Sequence, residues 1–109
     1  MTMINDLYEV ILDRKISPQE GSYTNYLFDK GLDKILKKVG EECAETIIAA
    51  KNGGGQDPGL CGEICDLIYH LLVLMAETGL PLSDVETELA ARRDKIGNLK
   101  QMRQTDKNT

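Results

Sequence analysis

Five carboxylates stand at spacings that suit a shared cation. They fall in two groups, Glu41-Glu42-x-x-Glu45 and Glu63-x-x-Asp66. On a helix, at about 100° per residue, the three glutamates of the first group span about 100° with Glu45 between the others. Glu63 and Asp66 are i, i+3 neighbours on one helical face. Two carboxylates about 4 Å apart repel by roughly 1 kcal/mol in water and roughly 4 at an effective dielectric near 20. Such a gathering calls for a counter-charge. Oxygen donors without paired thiolates or imidazoles favour magnesium, with manganese as the alternative. The bland alternative is a solvated acidic face. Two groups on consecutive helices favour the metal reading, with Glu41, Glu42, Glu45, Glu63 and Asp66 as ligands.

Lys34, Lys37 and Lys38 precede Glu41 by one and two turns. As surface ion pairs this order is poor, because Glu before Lys is the favoured sense and cations are disfavoured near a helix N-terminus. The lysines fit phosphate oxygens, unless they are merely solvated. Gly21-Ser22-Tyr23-Thr24 offers hydroxyls, a phenol and a flexible backbone for a phosphate or sugar; a plain helix cap is the simpler reading. His70, four residues after Asp66, shares its face and orients a carboxylate, meets the substrate or, more simply, is a satisfied core histidine. Arg92 and Arg93 either reach substrate or pair with acids.

Four helices are expected to position these groups. The first runs from about Ile4 to Arg14, with Ile4, Leu7, Tyr8, Ile11 and Leu12 on one stripe. Ser17-Pro18-Gln19-Glu20 resembles a helix start that Gly21 cuts to a turn at most. A short piece beginning at Ser22-Tyr23-Thr24 ends near Lys30-Gly31. The second helix spans about Leu32 to Lys51; Leu32, Ile35, Leu36, Val39, Cys43, Ile47 and Ala50 form its apolar arc, opposite the glutamates. Gly53-Gly54-Gly55 stops it, and the loop continues through Gln56-Asp57-Pro58-Gly59. The third spans about Leu60 to Thr78 and is apolar on every side from Leu67 to Ala76 except at His70. Such a helix is buried all round, and so small a chain can hardly cover it, so a subunit interface is expected. Ser83-Asp84-Val85-Glu86 has the capping-box pattern and opens the fourth helix, to about Leu99. The short loop makes the second and third helices an antiparallel hairpin whose carboxylate faces can meet.

The 109 residues make one domain. Residues 1–99 are expected to be that domain and residues 100–109 a polar, frayed tail. A net charge of −5 argues against a nucleic-acid partner, which needs a basic footprint. No run of 18 apolar residues predicts a membrane span. The N-terminus lacks a signal-peptide pattern, so a cytoplasmic location is expected. Cys43, Cys61 and Cys65 are odd in number and lack C-x-x-C spacing, and the chain has one histidine. They are expected to be reduced and buried as small apolar residues rather than to form disulfides or a zinc site.

Gly21-Ser22-Tyr23-Thr24, Lys38-Val39-Gly40-Glu41-Glu42-Cys43-Ala44-Glu45 and Glu63-Ile64-Cys65-Asp66-Leu67-Ile68-Tyr69-His70 together resemble the phosphoribosyl-ATP pyrophosphohydrolase family. Leu82 to Arg93 fits that family's last helix, and the resemblance covers roughly residues 3–97. The acidic motifs alone mark the wider all-α, MazG-like nucleotide pyrophosphohydrolases. S-Y-T with D-L-x-Y-H narrows them to this family. The resemblance implies an all-α, four-helix MazG-like fold, a magnesium-dependent homodimer, and hydrolysis of 1-(5-phosphoribosyl)-ATP to 1-(5-phosphoribosyl)-AMP and pyrophosphate in L-histidine biosynthesis. Glu42, Glu45 and Lys38 are the expected catalytic residues. Ser22, Tyr23, Thr24, Lys34, Lys37, Lys38 and His70 are expected to bind the substrate. Cys43 and Cys65 stand where this family is expected to carry alanine. Two rival readings are a housecleaning nucleoside triphosphate pyrophosphohydrolase with the same chemistry, and a non-enzymatic dimeric helical interaction module.

Overall fold

The computed structural model describes residues 2–53 and 58–97. Five helices and no strand lie among the described residues: α1 (Met3–Ile16), α2 (Tyr23–Lys30), α3 (Leu32–Gly53), α4 (Pro58–Thr78) and α5 (Leu82–Gly97). The all-α expectation holds with one helix more than the four read from the sequence. The short piece after Ser22 is a complete two-turn helix, because it is capped at both ends. Ser22 Oγ accepts the Asn25 N–H at 3.1 Å, and Gly31 ends the helix at φ +91°, a region that an L side chain rarely adopts. α3 restarts at once.

Other boundaries shift for local reasons. α4 begins at Pro58, two residues ahead of the expected Leu60, since proline suits the first turn, where its missing N–H is no loss. α5 begins at Leu82, which places Ser83 inside the first turn rather than at the cap. The expected loop residues Gly54 to Asp57, the end of the last helix near Leu99 and the tail 100–109 lie outside the described residues.

The core sits at one end of the molecule. Tyr8 and Ile11 of α1, Leu27 of α2, Ile35 of α3, Leu72, Val73, Met75 and Ala76 of α4, and Leu82 of α5 are buried together. Tyr8 donates its hydroxyl to the Leu80 carbonyl at 2.9 Å, and Lys15 Nζ donates to the Ala76 carbonyl at 3.0 Å. Both bonds fix the C-terminal end of α4, whose last carbonyls lack helical partners.

Away from this core, α3 and α4 run on as a two-helix arm. No residue is buried from Cys43 to Gly53 or from Gly59 to Tyr69. One expectation fails here. All three cysteines are free and exposed rather than buried. The apolar arc of α3 reaches its own core only at Ile35, for Leu32, Leu36 and Ile47 are 41%, 46% and 64% exposed. The buried residues of α3 are Ile35 and Glu42, so the inward face is rotated roughly a quarter turn from the apolar arc, onto one edge of the acidic one. Within Leu67–Ala76 of α4 the single chain leaves Leu71 exposed, as expected of a segment that so small a chain can hardly cover. By length and composition alone, its segment Gly59–Thr78, of mean hydropathy 1.6, is apolar enough to cross a membrane. It also carries Glu63, Asp66 and His70 and packs against α1, α2 and α3, as the central helix of this fold.

Candidate active site

The antiparallel arm brings the two acidic groups together, as the spacing predicts. Glu42, Glu45 and Glu63 each place a carboxylate oxygen within 4.8 Å of the other two. Thr46 holds the helices in register beside them, its hydroxyl donating to the Glu42 carbonyl at 2.8 Å and lying 3.4 Å from that of Glu63. Glu42 is 5% exposed. Its Oε2 and Oε1 of Glu63 are buried with no hydrogen-bond partner, a costly state for an ionised oxygen.

Protonation follows from this arrangement. Burial pushes the Glu42 carboxyl above its usual range, and the charges of Glu45 and Asp66 add to the rise. Glu63 is raised by burial too, then by a hydrogen bond to Glu45 and by the charges of Glu45, Glu42 and Asp66. Asp66 therefore acts on the trio without being one of its closest members. Glu41 points elsewhere, with its Oε1 3.2 Å from Lys38 Nζ and its side chain 43% exposed. Lys38 also lies 3.8 Å from Glu42. Its bond to Glu41 holds the ammonium above its ordinary range, and the neighbouring Tyr23, Glu41 and Glu42 charges support that rise against desolvation.

An aromatic wall borders the carboxylates. His70 is buried, and its Nδ1 lies 2.8 Å from the Asp66 carbonyl. A carbonyl only accepts, so Nδ1 carries the hydrogen. Nε2 then accepts from the Tyr23 hydroxyl, 3.1 Å away. The ring is thus a satisfied, buried histidine, and it also holds Tyr23. Thr24 Oγ1 bonds the hydroxyl of Tyr69, whose ring stacks on Tyr23 at 6.2 Å and meets His70 edge-on at 5.0 Å. Burial lifts the Tyr69 phenol above its usual range, against the bond to Thr24.

The other expected residues divide. Ser22 is the cap of α2, as the simpler reading had it. Lys34 places its ammonium 5.9 Å from the centre of the Tyr26 ring, and Lys37 is exposed on α3. Arg92 and Arg93 pair with Glu88 and Asp94 at 3.0 and 3.6 Å. Three residues were not singled out in the sequence. Tyr69 stands inside the D-L-x-Y-H stretch, and Thr46 follows Glu42 by one turn, so their positions were visible. Tyr26 carried no pattern of its own.

Comparison with known proteins adds to this geometry. A family model described as phosphoribosyl-ATP pyrophosphohydrolase matches residues 4–93. A phosphoribosyl-ATP pyrophosphatase of Clostridium novyi is 56% identical over 106 residues, 97% of this chain and 94% of that protein. The protein of the same name from Pelotomaculum thermopropionicum is 64% identical over 93 residues, 85% of this chain and 93% of its own. One from Listeria monocytogenes is 62% identical over 94 residues, covering 86% and 88%.

Proposed function

The chain belongs to the phosphoribosyl-ATP pyrophosphohydrolase family, and we propose that the carboxylate trio between α3 and α4 is its reaction centre. The protein is a hydrolase of L-histidine biosynthesis, which converts 1-(5-phosphoribosyl)-ATP to 1-(5-phosphoribosyl)-AMP and pyrophosphate. Water adds across the anhydride between the α and β phosphorus atoms. One bridging P–O bond breaks, and pyrophosphate leaves.

The observation that carries the assignment is the pair of buried, unpartnered oxygens on Glu42 and Glu63, within 4.8 Å of Glu45. An all-oxygen donor set of high negative charge fits magnesium, or manganese in its place. Glu42, Glu45 and Glu63 would hold the ion, with Asp66 beside them and Glu41 at the rim. Such an ion, when bound, supplies charge neutralisation for the phosphates and a lowered pKa for water. The rest is the work of side chains. One glutamate of the trio, Glu42 or Glu45, would take the water's proton. Lys38 answers the charge that builds on the leaving pyrophosphate, with Lys34 and Lys37 on the same helix reaching further phosphate oxygens. Ser22, Tyr23, Thr24 and His70 border the substrate's sugar and base.

The two-helix arm supports a homodimer. α3 and α4 leave Leu36, Ile47, Ile48 and Ile64 exposed. An arm without buried residues is marginal in water on its own, because helical stability comes mainly from packing. A second copy laid along α3 and α4 would cover it. The pathway and charge fit a cytoplasmic enzyme acting on a small molecule, without nucleic acid or membrane.

Pyrophosphate release from 1-(5-phosphoribosyl)-ATP, with and without EDTA, tests the reading beside a panel of ordinary nucleoside triphosphates. Release from phosphoribosyl-ATP that EDTA abolishes is expected. Release that persists in EDTA would refute the metal assignment, and activity confined to ordinary triphosphates would refute the substrate.

A further inference from the structure

The turn between α1 and α2 forms an open pocket of about 650 Å³ that shares Tyr23 with the aromatic wall beside the carboxylates. Gln19, Glu20, Tyr23, Asn25, Tyr26 and Asp29 are among its walls, and no lysine or arginine lines it. Its walls offer two aromatic rings and the carboxylates of Glu20 and Asp29. The rings of Tyr23 and Tyr26 lie 5.9 Å apart and within 22° of parallel, each more than two-fifths exposed.

The pocket is built in advance. The Asn25 amide donates to the Arg14 carbonyl at 2.7 Å, and its oxygen accepts the Gln19 N–H at 2.8 Å. That one side chain ties the end of α1 to the turn. Tyr23 is a common wall, because it lines the pocket while its hydroxyl bonds His70, whose ring is anchored on Asp66. A nucleotide with its phosphates at the carboxylates therefore has its sugar and base directed past Tyr23. Tyr26 already draws positive charge, with Lys30 and Lys34 ammonium groups 5.8 and 5.9 Å from its ring centre.

The substrate's base differs from that of ATP in charge. A second ribosyl group on N1 makes the adenine a stronger base, since a proton on the exocyclic nitrogen gives a cation delocalised over the ring. The adenine of ATP is neutral under the same conditions. A flat cation is what an aromatic face and nearby carboxylates attract. We infer that this pocket is the base subsite, and that Tyr26 with Asp29 and Glu20 selects the cationic N1-substituted adenine over the neutral base of ATP. A base seated on Tyr26 competes with the Lys30 and Lys34 ammonium groups for that ring. The inference rests on the proposed function for the identity of the substrate.

The test is direct binding of 1-methyl-AMP and AMP by titration calorimetry, which needs no turnover. The intact protein should bind 1-methyl-AMP about tenfold more tightly, the size of a partly desolvated cation–π contact. Tyr26→Leu and Asp29→Asn should each cut that preference to less than about threefold. Tyr26→Phe keeps the ring and should keep the preference, which separates loss of the face from damage to the fold. Equal affinities in the intact protein, no measurable binding of either nucleotide, or a preference unchanged in both Tyr26→Leu and Asp29→Asn would overturn the inference. Pyrophosphate release from phosphoribosyl-ATP is scored separately. Selective binding without release would sink the proposed function and leave the subsite standing, and release without selectivity would do the reverse.

Discussion

Replacing Glu42 with glutamine should stabilise the metal-free protein while abolishing pyrophosphate release. The carboxylate is 5% exposed, and one of its oxygens is buried without a partner. Its neighbour Glu45 lies within 4.8 Å. At an effective dielectric near 20 that pair alone repels by roughly 3.5 kcal/mol. Glu45 is exposed, and solvent screening cuts the figure to about 1 kcal/mol. The lost attraction to Lys38 is partly offset, because Lys38 keeps Glu41 at 3.2 Å. Glutamine preserves the shape and brings an amide donor toward the remaining carboxylates. A net gain of about 1 kcal/mol corresponds to a Tm about 4–8 °C higher for a domain of this size. Thermal unfolding in EDTA near neutral pH, at matched protein concentration, reads it. Excess magnesium should stabilise the unaltered protein by about 3 kcal/mol at a hundredfold excess over Kd, and the variant by much less. A variant that melts below the parent in EDTA, or that gains as much from magnesium, would refute the reasoning.

Acid should stabilise the metal-free protein in the same way. Glu42 and Glu63 keep their protons in the fold above the usual 4.5, so stability is lost as pH rises from there through the raised values. A Tm in EDTA that climbs between about pH 5 and pH 7 contradicts this. Tyr69→Phe removes the tie to Thr24 and should cost about 1 kcal/mol of stability while raising KM more than it lowers kcat; an unchanged KM would show that the tie does not position substrate. Lys15→Met strips donors from the end of α4 and should lower stability by about 1 kcal/mol, read by urea unfolding. A Leu36→Lys, Ile47→Lys double variant should sediment as a monomer at micromolar concentration, and a stable dimer would place the interface elsewhere.

The meeting of Glu42, Glu45 and Glu63 was legible because charge and helical period act together: E-E-x-x-E and E-x-x-D on consecutive helices can face each other across a short hairpin. The turning away of Glu41 to Lys38 was not. The bland reading of Ser22 was legible for a similar reason, since an N-cap needs only a hydroxyl at the right step. The orientation of α3 was not legible. A helical wheel tells which face must leave water but not what covers it. Leu36 and Ile47 satisfy the pattern of a core stripe while lying outside their own core. Cys43 and Cys65 misled in the same manner, as small apolar residues on arm faces that one chain leaves open. The Tyr69–Thr24 and Tyr23–His70 ties depend on residues more than forty positions apart, a distance at which local spacing carries no information.

The last helix holds the fold by little more than its first turn. Leu82 is buried and Val85 packs against the core, whereas Leu89 and Ile96 are 57% and 83% exposed. Backbone amides beyond Val85 are therefore guarded by helical bonds alone, and in an isolated chain they should exchange with deuterated solvent far faster than those of α4. That makes α5 a built-in reporter. If its slow exchange appears only as protein concentration rises, the helix is being ordered by association. Its protection curve would then give the dissociation constant of the assembly without any label on the protein.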